Sequence, residues 1–194
     1  MSFFLSLSRL IDKINEKVGH TISWALLIAV LICSGNAIVR YGLDTSSNAW
    51  LEIQWYLFSA IFLLASGYTL RRNEHVRIDV LASHFSKRTQ ICIDLFGFIF
   101  FLLPMTTIIL YYAIPYALMS FQEQEHSSNA GGLIVWPAKI LIPIGFLLLT
   151  LQGISELIKR IGYLSGKVDA SEFERHNATP EEEIAAIQAA NKLN

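Results

Sequence analysis

Residues 50–79 read WLEIQWYLFSAIFLLASGYTLRRNEHVRID, and this stretch decides the fold. Its central part, residues 53–70, contains eighteen residues without a charged side chain. An α-helix rises about 1.5 Å per residue, so this part is nearly as long as the hydrocarbon core of a bilayer is thick. The stretch therefore predicts a transmembrane helix.

The two ends of this helix differ in a way that predicts its direction. Glu52 lies at the first end, between Trp50 and Trp55. A basic patch follows the second end and consists of Arg71, Arg72 and Arg77. Tryptophan is enriched at membrane–water interfaces, and Lys and Arg are enriched in cytoplasmic loops. We expect the arginine end to face the cytoplasm, with the tryptophans setting the depth of the opposite end.

The composition indicates that the whole chain is built for a membrane. Of its 194 residues, 53% are hydrophobic and 16% are charged, and the mean hydropathy is +0.44. Soluble domains carry about 25% charged residues. The composition therefore predicts an all-α integral membrane protein. Cys33 and Cys92 lie in or beside different apolar segments, which favours two apolar side chains over a disulfide or a zinc site.

Three further segments are long and apolar enough to cross a bilayer: residues 21–39, 95–119 and 133–155. Residues 95–119 exceed the length of a perpendicular crossing, so we expect this helix to tilt or to kink at Pro104 or Pro115. Together with residues 53–70, these segments predict a domain of four transmembrane helices that covers residues 21–158.

The first twenty residues predict a separate amphipathic helix. Apolar side chains recur there every three or four residues, with charged residues between them: Phe3, Phe4, Leu7, Leu10, Ile11, Ile14 and Val18. Such a helix is expected to lie in the membrane interface before the first transmembrane helix. Packing of its apolar face against a partner protein is the alternative, and the pattern does not separate the two.

The distribution of Lys and Arg predicts the topology. These residues number three in residues 1–20, one in 40–52, five in 71–90, one in 120–139 and five in 159–194. Because cytoplasmic segments carry the excess of positive charge, both termini and the middle loop are expected on the cytoplasmic side. Residues 159–194 are then a cytoplasmic tail.

Two pairs of polar residues are candidates for contacts near the predicted outer ends of the helices. Asn36 and Arg40 are four residues apart and share one helix face, where they could contact another helix or simply reach the interface. Glu52 and Lys139 are predicted at similar depth. They could form an ion pair with each other or with another subunit, or reach water and lipid head groups separately.

A third candidate site lies in the basic middle loop. His75 and Asp79 accompany Arg77 there and add hydrogen-bonding groups that retention at the inner surface does not require. This combination hints at a protein contact.

Three classes of function are disfavoured by where the polar residues lie. Haem ligation needs histidines inside facing helices, and the five histidines of this chain all fall outside the predicted spans. A carrier needs ionisable groups near the middle of the membrane, whereas the charged residues here cluster at the ends of the spans. No nucleophile–base pair or paired carboxylates can be assembled, so we expect no enzyme activity.

Four groups of residues, in this order on four predicted helices, resemble a known family. They are Asn36…Arg40-Tyr41, Trp50-x-Glu52-x-Gln54-x-Tyr56, Gly67-x-x-Leu70…His75-Val76-Arg77-Ile78-Asp79, and Trp136-Pro137-x-Lys139…Pro143-x-Gly145…Leu151-Gln152. The chain resembles the small (Q-type, DctQ-like) membrane subunit of tripartite ATP-independent periplasmic transporters, the TRAP transporters. The resemblance covers residues 20–160.

The resemblance implies a non-catalytic subunit of an ion-gradient-driven uptake system in a bacterial inner membrane. A periplasmic binding protein would capture an organic acid or related solute, and a large M-type subunit with an elevator-like domain would transport it. The small subunit would be a fixed scaffold without a cofactor, because any sodium sites belong to the large subunit. Its partners would be these two proteins and the bilayer, with no nucleic acid.

The resemblance also implies that Phe96, Phe98, Phe100 and Phe101 partly contact the large subunit. A small membrane anchor of a redox or signalling complex is the alternative function, and a stand-alone exporter is a third.

Overall fold

The computed structural model describes residues 2–45, 47–72 and 85–168. His75, Arg77 and Asp79 lie outside these ranges, as does most of the predicted cytoplasmic tail. The described helices are α1 (Ser2–Gly42), α2 (Asn48–Arg71), α3 (Lys87–Gly97), α4 (Leu103–Gln122) and α5 (Trp136–Leu164). A π-helical turn, Phe98–Leu102, joins α3 to α4.

The described residues contain four helices that are long and apolar enough to cross a membrane. They are Phe3–Gly42, Asn48–Arg71, Arg88–Gln122 and Trp136–Leu164. The prediction of an all-α membrane protein with four spans is therefore confirmed. The first three helices extend beyond the predicted bounds at both ends because polar residues continue each helix past its uncharged part. The fourth begins at Trp136, inside the predicted start at residue 133, and extends beyond the predicted end.

The helices pack into one group, which we call the helical layer. α1, α2 and α5 contact one another, and α4 packs against the other side of α5. Most large apolar side chains point outward, and few members of each span are buried within the chain. Outward apolar faces suit a lipid environment, where burial of apolar surface does not drive helices together.

Small residues allow the helices to approach closely at two positions. A Cβ atom at Gly145 of α5 would stand 2.7 Å from Leu63 Cβ and 2.8 Å from Leu63 O on α2. At Gly67 of α2, the same atom would overlap with the side chain of Asn15 on α1. Glycine therefore sets the α2–α5 and α1–α2 distances, as small residues commonly do in membrane helix pairs.

The irregular turn in the third span has a physical cause. Proline has no backbone N–H, and its ring crowds the carbonyl of the residue four positions earlier, which for Pro104 is Phe100. The π-helical turn at Phe98–Leu102 ends just before this proline and relieves that conflict. An irregular turn thus lies beside Pro104, whereas Pro115 lies inside the regular helix α4, and the expected tilt or kink of this span stays a prediction.

The structure differs from the prediction of a separate N-terminal helix, because α1 continues without a break from Ser2 to Gly42. In its first half, the polar face packs inside the chain and the apolar face is exposed. Ser8 and Asn15 are buried, whereas Phe3, Leu7 and Leu10 are exposed. The polar face turns inward because α5 offers it hydrogen-bonding and charged partners.

The predicted boundary of the C-terminal tail at residue 159 is also displaced. α5 continues to Leu164, and Lys159 and Arg160 are buried inside the chain. These two residues belong to the packed helical layer and not to a solvated tail.

Candidate functional site

Polar side chains cluster at both ends of the helical layer. We call these clusters the Glu52 end, which includes the connection of residues 123–135, and the Arg160 end, which includes the first turns of α1 and the last turns of α5. Glu52, in the first half of α2, is 3% exposed. Its carboxylate accepts hydrogen bonds from Ser127 Oγ, from Asn129 Nδ2 at 2.9 Å and from the backbone N–H of Leu133 at 2.6 Å.

The connection of residues 123–135 is folded back over α2 by these bonds and by others. Asn48 Nδ2 donates to the carbonyl of Ala130 at 2.9 Å, and the hydroxyl of Tyr56 donates to the carbonyl of Ile134 at 3.2 Å. Gly131 adopts a φ of +71°, which a side chain would strain. Glu52 is thus the central acceptor that fixes the path of this connection.

Lys139 of α5 has a different partner from the one that the sequence suggested. Its ammonium donates to Glu125 Oε2 at 2.5 Å and lies 4.2 Å from the centre of the Tyr116 ring. This hydrogen bond holds the pKa of Glu125 below the ordinary carboxyl value. The predicted Glu52–Lys139 ion pair is therefore wrong within this chain, because residues 123–135 supply a separate partner to each.

The Arg160 end is a buried network of charges that the sequence analysis missed. Lys159 Nζ lies 3.1 Å from Asp12 Oδ2 of α1 and 2.5 Å from Glu156 Oε1. Arg160 pairs with Glu156 and, at 3.1 Å, with Asp94 of α3. The network therefore connects α1, α5 and α3.

Neutral polar groups complete this network. Gln152 Nε2 and Ser155 Oγ each donate to Asp12 Oδ1 at 2.8 Å. Asn15 Nδ2 donates to Gln152 Oε1 at 2.9 Å, and the Ser8 and Ser155 hydroxyls lie 2.7 Å apart. Buried charges require such partners, since an unpaired charge in a low-dielectric interior is strongly unfavourable.

Helical spacing is the sequence signal that could have revealed the network. Gln152, Ser155, Glu156 and Lys159 follow one another at intervals of three, one and three residues along α5. Ser8, Asp12 and Asn15 repeat at intervals of four and three along α1. Each series occupies one helix face.

The remaining predicted residues are placed as follows. Arg40 is exposed at the end of α1, and Asn36 lines an apolar cavity together with Trp50. The ring of Trp136 packs edge-to-face on Phe121, with the ring centres 5.0 Å apart. Among the described residues, the structure shows no cluster of His, Cys, Asp or Glu that could hold a metal ion.

The arginines at the end of α2 also have partners within the chain. Arg71 Nη1 lies 2.9 Å from Glu16 Oε2 of α1, and the guanidinium of Arg72 lies 5.2 Å from the centre of the Tyr68 ring.

Comparison with protein-family models identifies the family of this chain. The model of tripartite ATP-independent periplasmic transporters, DctQ component, matches residues 11–162. The chain belongs to the DctQ family. This DctQ chain is therefore a small component of a TRAP transporter and a multi-pass membrane protein. No curated protein and no solved structure matches it.

Family membership changes how the two polar clusters of this DctQ chain are interpreted. Their charged groups bind one another across helices and do not surround a vacant site. Arranged in this way, they can hold helices α1, α2, α3 and α5 and the connection of residues 123–135 in fixed positions.

Proposed function

We propose that the chain is the small permease subunit of an ion-gradient-driven TRAP uptake system for organic acids or related solutes. Its role is that of a non-catalytic scaffold for the large M-type subunit. Membership of the DctQ family supports the assignment to such a system. The distribution of Lys and Arg supports an inner-membrane orientation with both termini in the cytoplasm.

One structural observation supports the scaffold role: the buried charged side chains have partners within the chain, while most large apolar side chains point outward. Glu52 ties α2 to residues 123–135, and Lys159 and Arg160 tie α5 to α1 and α3. Helices that are held together by polar contacts at both ends change their positions relative to one another very little. Such a layer suits the static side of a transporter whose other side moves.

The exposed aromatic side chains around the π-helical turn are the proposed contact with the large subunit. Phe96, Phe100 and Phe101 are exposed. The centre of the Phe96 ring lies 4.7 Å from that of Phe100 and 5.9 Å from that of Phe101. Phe98 is different, because it is 6% exposed and packs beneath the guanidinium of Arg160. The expectation that Phe98 contacts the large subunit is therefore corrected, and the other three keep that role in the proposal.

The connection of residues 123–135 is the proposed docking surface for the periplasmic binding protein. Asn129, Ala130 and Gly131 are exposed at its tip, and Glu52 holds this tip through Asn129. A rigid tip on the periplasmic side would offer the binding protein a preformed surface, which reduces the entropy lost on association.

Co-purification with the large subunit tests the proposal. A tagged chain expressed together with the M-type subunit of its system should recover that subunit in equal amount. In proteoliposomes, uptake of the organic acid delivered by the binding protein should require both membrane subunits, and this chain alone should give no flux. Purification without the large subunit, or flux through this chain alone, would contradict the proposal.

A matched pair of variants tests the contact surface. Phe100→Ser should weaken co-purification because it removes an exposed aromatic ring from the proposed interface. Phe62→Ser changes a phenylalanine on α2 that is even more exposed than Phe100, and it should leave co-purification unchanged. Loss of the complex in the Phe62 variant with retention in the Phe100 variant would place the interface on the other side of the layer.

A further inference from the structure

A cavity between α1 and α2, separate from both polar clusters, has the features of a lipid site. Its volume is about 400 Å³, and it is lined by Leu31, Ile32, Gly35, Asn36 and Val39 of α1 and Trp50 of α2. This volume falls within the range of small-molecule sites, which is about 300–1,000 Å³. The lining is apolar except for the amide of Asn36 and the indole N–H of Trp50.

Gly35 contributes no side chain to the wall of the cavity. A Cβ atom built there would meet no other atom within 4 Å, so open space lies over this glycine. The large apolar residues beside it, Leu31 and Val39, are themselves exposed. The cavity thus offers a long apolar surface at membrane depth.

Polar groups lie at one end of this apolar surface. Arg40 follows Asn36 by four residues and therefore shares its helix face, one turn nearer the end of α1. The Arg40 side chain is exposed, and the described residues give its guanidinium no ion-pair partner. An apolar groove that ends in a cation, an amide and an indole N–H matches a molecule with a long hydrocarbon chain and an anionic head.

We propose that this cavity binds one acyl chain of a glycerophospholipid whose phosphate is held by Arg40. Charge complementarity selects this occupant: the guanidinium pairs with the phosphate diester, and Asn36 and Trp50 can donate hydrogen bonds to the ester oxygens. Tryptophan and arginine at the end of a span lie at the depth of the head groups. The site would hold one lipid molecule in a defined position among the lipids that surround the protein.

Lipid binding to the purified full-length chain tests the proposal. The chain is delipidated in detergent and titrated with dioleoylphosphatidylglycerol, and bound lipid is counted by native mass spectrometry. Gly35→Leu should remove the tightest binding event, because the leucine side chain would occupy the open space in the cavity. Leucine also favours a helix more than glycine does, so the variant should fold. Gly97→Leu is the matched control, since a Cβ atom there also meets nothing within 4 Å, and it should bind like the parent chain.

The head-group contact is tested separately. Arg40→Gln should weaken the tightest phosphatidylglycerol binding by about tenfold or more, and Arg40→Lys should restore most of it. Dioleoylglycerol, which lacks the phosphate, should bind weakly to the parent chain and equally to both Arg40 variants.

Three outcomes would contradict the proposal. Equal phosphatidylglycerol binding by the parent, Gly35→Leu and Gly97→Leu chains would show that the cavity holds no lipid. If Gly35→Leu instead abolished co-purification with the large membrane subunit while lipid binding stayed unchanged, the occupant would be a side chain of that partner. Equal binding of phosphatidylglycerol and dioleoylglycerol would remove the assigned role of Arg40.

Discussion

Asp12 of α1 and Lys159 of α5 form an ion pair, with Asp12 Oδ2 lying 3.1 Å from Lys159 Nζ, although 147 residues separate them in the chain. The pair joins the beginning of the first helix to the end of the last. Because Glu156 contacts the same ammonium, Lys159 also separates two carboxylates that would otherwise face each other. The position of the N-terminal half of α1 depends on this cation.

Lys159→Met should destabilise the protein strongly. The substitution leaves Asp12 and Glu156 without their shared cation, and breaking a buried ion pair by removing one partner costs on the order of 3 kcal/mol. Unfolding of the purified protein by SDS, followed by circular dichroism, measures the loss. Lys167→Met is the control, because Lys167 is exposed beyond the end of α5 and its loss should change stability little.

The double variant Asp12→Asn, Lys159→Met distinguishes the loss of the Asp12–Lys159 ion pair from a general effect of the methionine side chain on stability. Removing the carboxylate together with its cation should recover part of the lost stability, since one fewer charge remains unpaired. A double variant that is less stable than Lys159→Met alone would contradict the assigned ion pair.

Glu52→Gln should loosen the connection of residues 123–135. The amide is nearly isosteric with the carboxylate but carries no charge and turns an NH2 group toward the donors Ser127, Asn129 and Leu133. Hydrogen exchange of the backbone amides in residues 126–134 should become several-fold faster. Glu123→Gln alters an exposed residue of the same connection and should leave exchange unchanged. Unaltered exchange in the Glu52 variant would show that backbone bonds alone fix this connection.

The four spans could be predicted because their signal is local: an uncharged run of sufficient length forms a membrane helix whatever its neighbours are. The choice of ionic partners is not local. Glu52 and Lys139 were predicted at similar depth, yet the path of residues 123–135 brings Ser127 and Asn129 to the first and Glu125 to the second. The path of a connection depends on all of its contacts together.

The N-terminal half of α1 shows a second reason why prediction failed. Its periodic apolar side chains predicted an amphipathic helix whose apolar face makes the contact with the interface or a partner. In the structure the polar face of α1 contacts α5, because α5 presents Ser155 and Lys159 to Ser8 and Asp12. Periodicity identifies two faces but does not state which one the rest of the chain covers.

Gly145→Ala should weaken the packing of α2 on α5. The added Cβ atom would stand 2.8 Å from the carbonyl oxygen of Leu63, which the backbone of α2 cannot move aside easily. Overpacking of this kind costs about 1–3 kcal/mol. The thermal unfolding midpoint in detergent should fall, while Gly97→Ala, where the added atom meets nothing within 4 Å, should leave it unchanged or raise it. Equal unfolding midpoints for Gly145→Ala and Gly97→Ala would mean that α2 and α5 can move apart at little cost in free energy.

The Glu125–Lys139 pair predicts a pH dependence of the Glu52 end. The hydrogen bond from Lys139 lowers the pKa of Glu125 below its ordinary value of 4.5, so the pair contributes stability at neutral pH that is lost as the pH falls through the lowered pKa. Carbon-13 NMR of labelled glutamate carboxyls should show Glu125 titrating below 4.5 in the parent chain.

In Lys139→Met the pKa of Glu125 should return toward the ordinary value, because its main hydrogen-bond donor is gone. Lys167→Met removes a lysine that lies beyond the other end of α5, and it should not alter this titration. The protection of residues 126–134 from hydrogen exchange provides a second readout, since in the parent chain it should fall as Glu125 is protonated, whereas in the Lys139 variant it should already be low at neutral pH. A Glu125 titration that is the same in all three chains would show that Lys139 does not hold this carboxylate in solution.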